Sequence, residues 1–251
     1  ADNTAALAFG GLATTHRAET ESWNGSSWTE VGDLNTARYN PGEAGTSTAA
    51  LATGGNVPPN NATAVTESWD GTSWTEVADL NSAREGFGGL GIYTSALMAG
   101  GGPSVTANTE LWNGTSWAEQ NNLSTARYLL AGAGTTSLGV AFGGGAPSIV
   151  AVTEEWTGAG ASVGAWSTGG AMNVGTQTSA LVFGGLKPPG VTDETESYNG
   201  SSWTEVADLN TAREDHGAAG ASNTSALCIG GEPGSGKVDI TESWDGSSWT
   251  E

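Results

Sequence analysis

Apolar and polar residues alternate along this chain in short runs, and the runs recur at a nearly fixed distance. The clearest is a ten-residue pattern, ESWDGTSWTE at residues 67–76, which returns in six copies. The first aromatic residue of each copy stands at position 23, 69, 112, 156, 198 or 244. A spacing of roughly 42–46 residues between related segments indicates one structural unit repeated along the chain.

Each copy of this pattern predicts a tight β-hairpin. A pair such as Asn24-Gly25 stands between two short runs of Ser, Thr and Trp, and it favours the positive φ angles of a two-residue turn. With that turn Trp23 pairs with Ser26 and Glu21 pairs with Trp28, so both indoles lie on one face and small hydroxyl residues on the other. We expect the Trp face of one hairpin to pack on the Ser/Thr face of the next.

Three further runs complete the repeat. An alternating apolar run ends in two Gly, as in TAALAFGG at residues 4–11, and the phrase DLNTAR at residues 33–38 follows the hairpin. The phrase recurs with small changes at 79–84, 122–127 and 208–213, and it leads into a run rich in Gly and Ala. Small residues suit the crowded axis of a radial array of sheets, so we place the Gly/Ala strand innermost, as strand A. The Gly-Gly strand (B) and the hairpin strands (C and D) follow outward.

The combination resembles the kelch family of β-propellers. The residues that carry the resemblance are an apolar residue before two Gly, then an aromatic residue about a dozen positions on, then Trp five later, as in Phe9-Gly10-Gly11 with Trp23 and Trp28. The likeness covers all six repeats, although Trp usually stands where that family more often has Tyr. It implies four-stranded antiparallel blades around a channel and no particular function, since such propellers include enzymes, adaptors and adhesins.

The expected fold is therefore all-β: a six-bladed β-propeller of four-stranded antiparallel blades, formed by residues 1–251 as one domain. The expected repeats are approximately 1–31, 32–77, 78–120, 121–167, 168–206 and 207–251. The first blade lacks its inner strand, because no suitable run precedes its B strand. We expect a protein partner or a flanking segment to complete it, since an open strand edge invites pairing.

Composition narrows the range of partners. The chain has seven Lys and Arg against twenty-seven Asp and Glu, a formal net charge of −20, so it is expected to repel nucleic acid phosphates and anionic membranes. No apolar run approaches the ~20 residues of a membrane span, and membrane insertion is not expected. The single Cys, Cys228, lies in an apolar run and is interpreted as a small buried residue in a chain without internal disulfides.

The repeated Arg residues are the best candidates for binding. The phrase such as residues 33–38 links strand D to the next strand A and is named the D–A phrase, and the loop between strands B and C is named the B–C loop. Because the strands alternate in direction, the D–A phrases and the variable B–C loops lie at the same end of the sheets. The candidate ligand-binding residues at that end are Arg38, Arg84, Arg127, Arg213, Lys187, Lys237, His16 and His216. The four Arg have two interpretations: each forms a fork with a Glu or a loop carbonyl, or together they bind an acidic glycan or peptide at a channel mouth. No catalytic set, cofactor or metal site is predicted, because two His offer too few ligands.

These features favour a non-catalytic structural or recognition module that is extracellular or on a virion surface and binds a glycan or protein partner through the B–C/D–A loop end. The alternative is an extracellular lyase or hydrolase acting on acidic polysaccharide, with His16 and His216 as its acid and base. An intracellular adaptor is a third possibility.

Overall fold

The chain is all-β in a computed structural model, which describes residues 4–145, 148–158, 165–169, 174–176, 179–187, 189–199 and 202–251. Within these ranges there are 27 strands and no helix, so no helix is long and apolar enough to cross a membrane. Two compact units are present. The larger comprises Leu7–Trp23 and Ser27–Ala171, and the smaller comprises Ala1–Ala6, Asn24–Ser26 and Met172–Glu251.

Four antiparallel sheets form the larger unit, and within each sheet the strands are named in their hydrogen-bonded order. The first sheet is β1 (Ala6–Phe9), β2 (Thr20–Trp23) and β3 (Trp28–Glu30). The second is β4 (Gly42–Thr46), β5 (Ala49–Thr53), β8 (Thr66–Trp69) and β9 (Trp74–Glu76), with a small ribbon of β6 (Asn56–Val57) and β7 (Asn61–Ala62) in its B–C loop. The third is β10 (Gly88–Ile92), β11 (Ser95–Ala99), β12 (Thr109–Trp112) and β13 (Trp117–Glu119). The fourth is β14 (Ala131–Gly134), β15 (Leu138–Phe142), β16 (Thr153–Thr157) and β17 (Ala165–Gly169).

The smaller unit contains two more four-stranded antiparallel sheets. The fifth sheet is β18 (Val174–Thr176), β19 (Ser179–Phe183), β22 (Thr195–Tyr198) and β23 (Trp203–Glu205), with a ribbon of β20 (Leu186–Lys187) and β21 (Gly190–Val191) in its B–C loop. The sixth is β24 (Gly217–Ser222), β25 (Ser225–Ile229), β26 (Thr241–Trp244) and β27 (Trp249–Thr250). The predicted order A-B-C-D is confirmed in all five four-stranded sheets. In the first sheet only the counterparts of B, C and D are found among the described residues.

The hairpins form where predicted, but the predicted register is wrong. Trp23 lies opposite Trp28 rather than Ser26, and Glu21 lies opposite Glu30. The turn is therefore four residues long. The reason is clearest in the second sheet, where the Asp70 carboxylate accepts hydrogen bonds from the backbone N of Thr72 and Ser73, both at 2.9 Å. These bonds favour a four-residue turn over the predicted two-residue turn. They also lower the pKa of Asp70 to about 2.

The predicted stacking of faces is confirmed in both units. In the larger unit the Trp74 indole Nε1 donates to Thr20 Oγ1 at 3.0 Å, and the Phe9 ring meets Trp74 edge-on with centroids 4.8 Å apart. In the smaller unit Trp249 Nε1 donates in the same way to Thr195 Oγ1 at 3.1 Å. Each of these two bonds satisfies a buried indole N–H with a hydroxyl from the neighbouring sheet. The third sheet differs, because its Trp117 Nε1 donates to the carbonyl oxygen of Ala78 at 3.1 Å.

Small residues on the inner strands allow neighbouring backbones to touch. A Cβ added at Gly89 of β10 would lie 2.4 Å from the carbonyl oxygen of Glu43 on β4. One added at Gly132 of β14 would lie 2.6 Å from the carbonyl oxygen of Gly89. No side chain fits at those distances, so the Gly-rich composition of strand A follows from the close approach of three successive sheets.

Candidate functional site

The four repeated Arg residues are buried, and the first of them shows how. Arg38 lies in the phrase between the first and second sheets. Its Nη1 donates to the carbonyl oxygens of Gly54 at 3.0 Å and Val65 at 2.8 Å. Its Nε donates to Thr36 O at 3.2 Å, and Nη2 forms an ion pair with Glu67 on β8. Both side chains of the pair are fully buried.

The Glu67 carboxylate also accepts hydrogen bonds from the phrase itself. Asn35 donates to it from the backbone N at 2.7 Å and from Nδ2 at 2.8 Å, and Thr36 N donates at 3.3 Å. A buried ion pair is tolerated only when its remaining donors and acceptors are satisfied, and this one meets that condition. The pair fastens the D–A phrase to strand C of the following sheet.

The same pair recurs in three other sheets. Nη2 of the Arg lies within 3.0 Å of a Glu Oε1 in Arg84–Glu110, Arg127–Glu154 and Arg213–Glu242. All of these side chains are at most 2% exposed. The interpretation in which the four Arg together bind an acidic ligand requires accessible guanidinium groups, whereas those of Arg38, Arg84, Arg127 and Arg213 are inside the protein. The contacts of Arg38, Arg84 and Arg127 are those of the other interpretation, with Nη1 bound to two carbonyl oxygens and Nη2 to a Glu. Arg213 differs, because it contacts Glu242 and the Cys228 Sγ instead of loop carbonyls.

Burial also shifts the pKa of ionisable side chains at these ion pairs. It lowers the pKa of Arg38, Arg84 and Arg127, while the paired carboxylates act in the opposite direction. Cys228 lies beside the last pair, with Arg213 Nε 3.2 Å from its Sγ, and burial raises the pKa of the thiol to about 11. The cysteine is free and buried, and it has no thiolate character at neutral pH.

The two His occupy separate surroundings in separate units. His16 Nε2 lies 3.1 Å from Asn56 Oδ1, and its ring is 5.2 Å from that of Tyr39. His216 stacks on Phe183 with centroids 5.3 Å apart, and its Nε2 lies 3.2 Å from the Phe183 carbonyl oxygen. Desolvation, together with the charge of Arg213, lowers the pKa of His216. Each His therefore has a packing role within its own unit.

The two Lys are on B–C loops of the smaller unit, as predicted. Lys187 is exposed and forms an ion pair with Glu194, which raises the pKa of the amine. Lys237 is also exposed. Their contribution to ligand binding stays a prediction.

An exposed Leu in a strained backbone conformation was not anticipated. Leu129 lies two residues after the third D–A phrase with φ of 50°, and the residue is 56% exposed. The equivalent positions in the preceding sheets are Asn40, with φ of 49°, and Gly86, with φ of 58°. Asn and Gly adopt this left-handed region readily, whereas Leu does not. Aligning the phrases reveals the exception: Leu stands where a turn former stands in the other copies.

Leu129 belongs to a group of exposed apolar residues at the loop end of the larger unit. Its backbone N donates to Gly86 O at 2.6 Å, and Gly86 N donates to Asn40 O at 3.2 Å, so the phrases are linked across sheets. Tyr128 pairs with Gly145, which pairs in turn with Ile149, a residue 62% exposed. The group, which we name the loop-end apolar residues, consists of Leu12, Val105, Tyr128, Leu129 and Ile149.

Glu43 is a second residue that the sequence did not single out. It is the acidic residue of inner strand β4, at a position taken by Gly89 and Gly132 in the next two sheets. Solvent reaches its side chain, yet the surrounding inner strands desolvate the carboxylate and raise its pKa to about 7. One carboxylate alone does not make a catalytic pair. Across the described part of the chain no group of three His, Cys, Asp or Glu side chains is arranged to hold a metal ion.

Comparison with known proteins supports the architecture. No protein-family model matches the chain, and no curated protein sequence does. The solved structure entitled "Structure of YjhT", a kelch-type propeller, is similar over 99% of this chain and 97% of its own, with a TM-score of 0.75 and 11% sequence identity. At that identity the likeness concerns the fold alone. Together with the antiparallel four-stranded sheets, it indicates a β-propeller.

Proposed function

We propose that this chain is a non-catalytic recognition module, a kelch-type propeller of six blades that binds a protein partner through its loop-end apolar residues. The observation that carries the proposal is the pair Leu129 and Ile149, two aliphatic side chains more than half exposed at one end of the sheets. Exposed apolar residues gathered at the loop end of a rigid scaffold are typical of a protein-binding surface.

The burial of Arg also favours a protein over an acidic glycan. A carboxylated or sulfated glycan needs several accessible cations, and four of the five Arg are held inside by Glu. The strained backbone at Leu129 points the same way, since strain retained at an exposed position is a common mark of a functional site. We place the module on a cell or virion surface, in keeping with its short repeats and low Lys content.

The experiment compares two variants that remove exposed apolar side chains at opposite ends of the sheets. Leu129→Asn combined with Ile149→Ser alters the loop end, and Asn is the residue already present at the equivalent position 40. Ile92→Ser, at an A–B turn and 52% exposed, is the matched control. We expect proteins cross-linked to the wild-type chain on its native particle or cell surface to be retained by the control and lost by the double variant.

An unchanged set of cross-linked proteins in the double variant would contradict the proposal. So would turnover of an acidic polysaccharide such as polygalacturonate that disappears with His16→Ala, because that result would favour the enzyme. Circular dichroism and thermal melts of each variant show whether the fold is retained.

A further inference from the structure

The first sheet contains the same hydrogen-bond acceptors that hold the buried Arg in other sheets, but no Arg of the described residues occupies them. In the second sheet the guanidinium of Arg38 is held by Gly54 O, Val65 O and the Glu67 carboxylate. The third and fourth sheets use the same three positions: Gly100, Asn108 and Glu110 hold Arg84, and Gly143, Val152 and Glu154 hold Arg127. The binding site is therefore defined by three independent copies in the larger unit.

The corresponding residues of the first sheet are Gly10, Glu19 and Glu21. At these positions the first sheet matches the second sheet in backbone conformation as well as in sequence. Gly10 N donates to Glu19 O at 3.0 Å, as Gly54 N donates to Val65 O at 2.9 Å, and the two Gly have φ angles of 69° and 59°. Glu21 occupies the place of Glu67 on strand C, opposite Glu30 as Glu67 is opposite Glu76.

A cavity lies at these three residues. Its volume is about 380 Å³, and it is lined by Ala8, Phe9, Gly10, Arg17, Glu19 and Glu21. Arg17 donates to the Glu19 carboxylate at 3.0 Å, so these two charges neutralise each other. Glu21 is exposed, and among the described residues its carboxylate has no hydrogen-bond or ion-pair partner. The lining therefore carries one negative charge in excess and can accept one cation.

No strand in the described part of the chain pairs with the edge of β1 next to this cavity. Among the described residues, β1 is an outermost strand of the first sheet, whereas its counterpart β5 has β4 hydrogen-bonded along that edge. In the second sheet Arg38 precedes β4 by only a few residues, so the Arg and the inner strand arrive on one continuous segment. A segment whose Arg binds Glu21 therefore places the residues that follow that Arg along the edge of β1 that no described strand covers.

We propose that this cavity is a guanidinium site that takes the Arg of an extended segment from a partner polypeptide. The segment has the local character of residues 33–46: Arg followed shortly by a strand of small residues. Its guanidinium donates to Gly10 O, Glu19 O and Glu21, and its small residues pair with β1. The proposal concerns the first sheet only and does not depend on the loop-end apolar residues.

The test uses a synthetic peptide with the sequence of residues 33–46, DLNTARYNPGEAGT, titrated into the full chain by calorimetry. We expect saturable binding with one peptide per chain. The matched peptide carries Gln in place of Arg, and it should bind at least tenfold more weakly. Glu21→Gln in the protein should weaken the Arg peptide by a similar factor, and Glu119→Gln, an equal charge change at an exposed position of β13, should leave it unchanged.

A variant with the opposite charge at position 21 distinguishes the loss of a binding site from misfolding of the protein. Glu21→Arg should reject the Arg peptide and bind the peptide in which Glu replaces Arg, which a damaged protein could not do. Absence of saturable binding at millimolar peptide, or equal affinity for the Arg and Gln peptides, would overturn the proposal. Binding that is unaffected by Glu21→Gln would overturn it as well, because the peptide would then lie elsewhere.

Discussion

The first and second sheets of the larger unit contain nearly the same hairpin in different surroundings. The register is the same, with Trp23 opposite Trp28 and Trp69 opposite Trp74. Trp69 and Trp74 are buried, whereas Trp23 and Trp28 are half-buried. The same contrast holds for Glu67, which is fully buried, and Glu21, which is exposed. Local sequence thus determines the hairpin, while the D–A phrase and the adjacent sheet determine whether its side chains are buried.

The largest expected difference concerns the two Glu. Glu67→Ala leaves the Arg38 guanidinium buried without its counter-charge, and breaking one side of a buried ion pair costs about 3–5 kcal/mol. Glu21→Ala removes an exposed carboxylate, and surface changes of that kind stay within about 0.5 kcal/mol. Urea denaturation of the two variants gives both free energies of unfolding.

A double variant sharpens that result. Arg38→Met together with Glu67→Leu removes both charges, so we expect it to be less destabilised than Glu67→Ala alone. Equal losses in Glu67→Ala and Glu21→Ala would mean that the buried pair has no energetic role, and the contrast between the sheets would fail.

The next effect lies where the two sheets meet. Thr20→Val removes the hydroxyl that accepts the Trp74 indole N–H and leaves that donor buried without a partner, which costs about 1–3 kcal/mol. Thr195→Val should cost a similar amount in the smaller unit, because Trp249 donates to Thr195 in the same geometry. Thr29→Val, on the exposed strand β3, is the control, and a loss as large as that of Thr20→Val would show that the hydrogen bond to Trp74 is not the cause.

Much of the architecture could be predicted because the repeat displays it six times. Strand types, their order in the sheet and the stacking of Trp on Thr all follow from alternation and from the size of the side chains. The hairpin register could not be read in the same way. Two-residue turns compete with longer turns in which Asp or Asn accepts backbone N–H bonds, and the Ser and Thr after Gly71 supply that alternative here.

The candidate site was harder to predict because its partners are distant in sequence. Arg38 and Glu67 are 29 residues apart, and an isolated Arg is usually a surface residue. A signal was nevertheless present, since the Arg of each phrase and the Glu of the next hairpin recur together. The fifth repeat shows the converse: no Arg stands in its eroded phrase at residues 171–173, which lies outside the described residues, and Glu196 is exposed.

A smaller effect is expected at the phrase end, where the second sheet has Asn40 and the fourth has Leu129. Leu129→Asn replaces a residue that resists the left-handed region with one that adopts it, and we expect a stabilisation of about 0.5–1 kcal/mol. Asn40→Leu should destabilise the chain by a similar amount. Thermal denaturation of both variants measures the difference, and opposite signs at the two positions are required if the backbone angle is the cause.

The smallest effect concerns the inner strand that the second sheet has and the first lacks among the described residues. Glu43 on β4 has its pKa raised to about 7, so between its ordinary value near 4.5 and that pH the folded chain holds a proton that the unfolded chain has released. The contribution of Glu43 to the free energy of unfolding is therefore fully present below about pH 4.5, and it declines as the pH rises from about 4.5 through 7. Glu43→Gln should remove that decline, whereas Glu30→Gln, on the exposed strand β3 of the first sheet, should not. Carboxyl carbon NMR titration reads the pKa directly, and an ordinary value at Glu43 would show that the inner strands do not desolvate it.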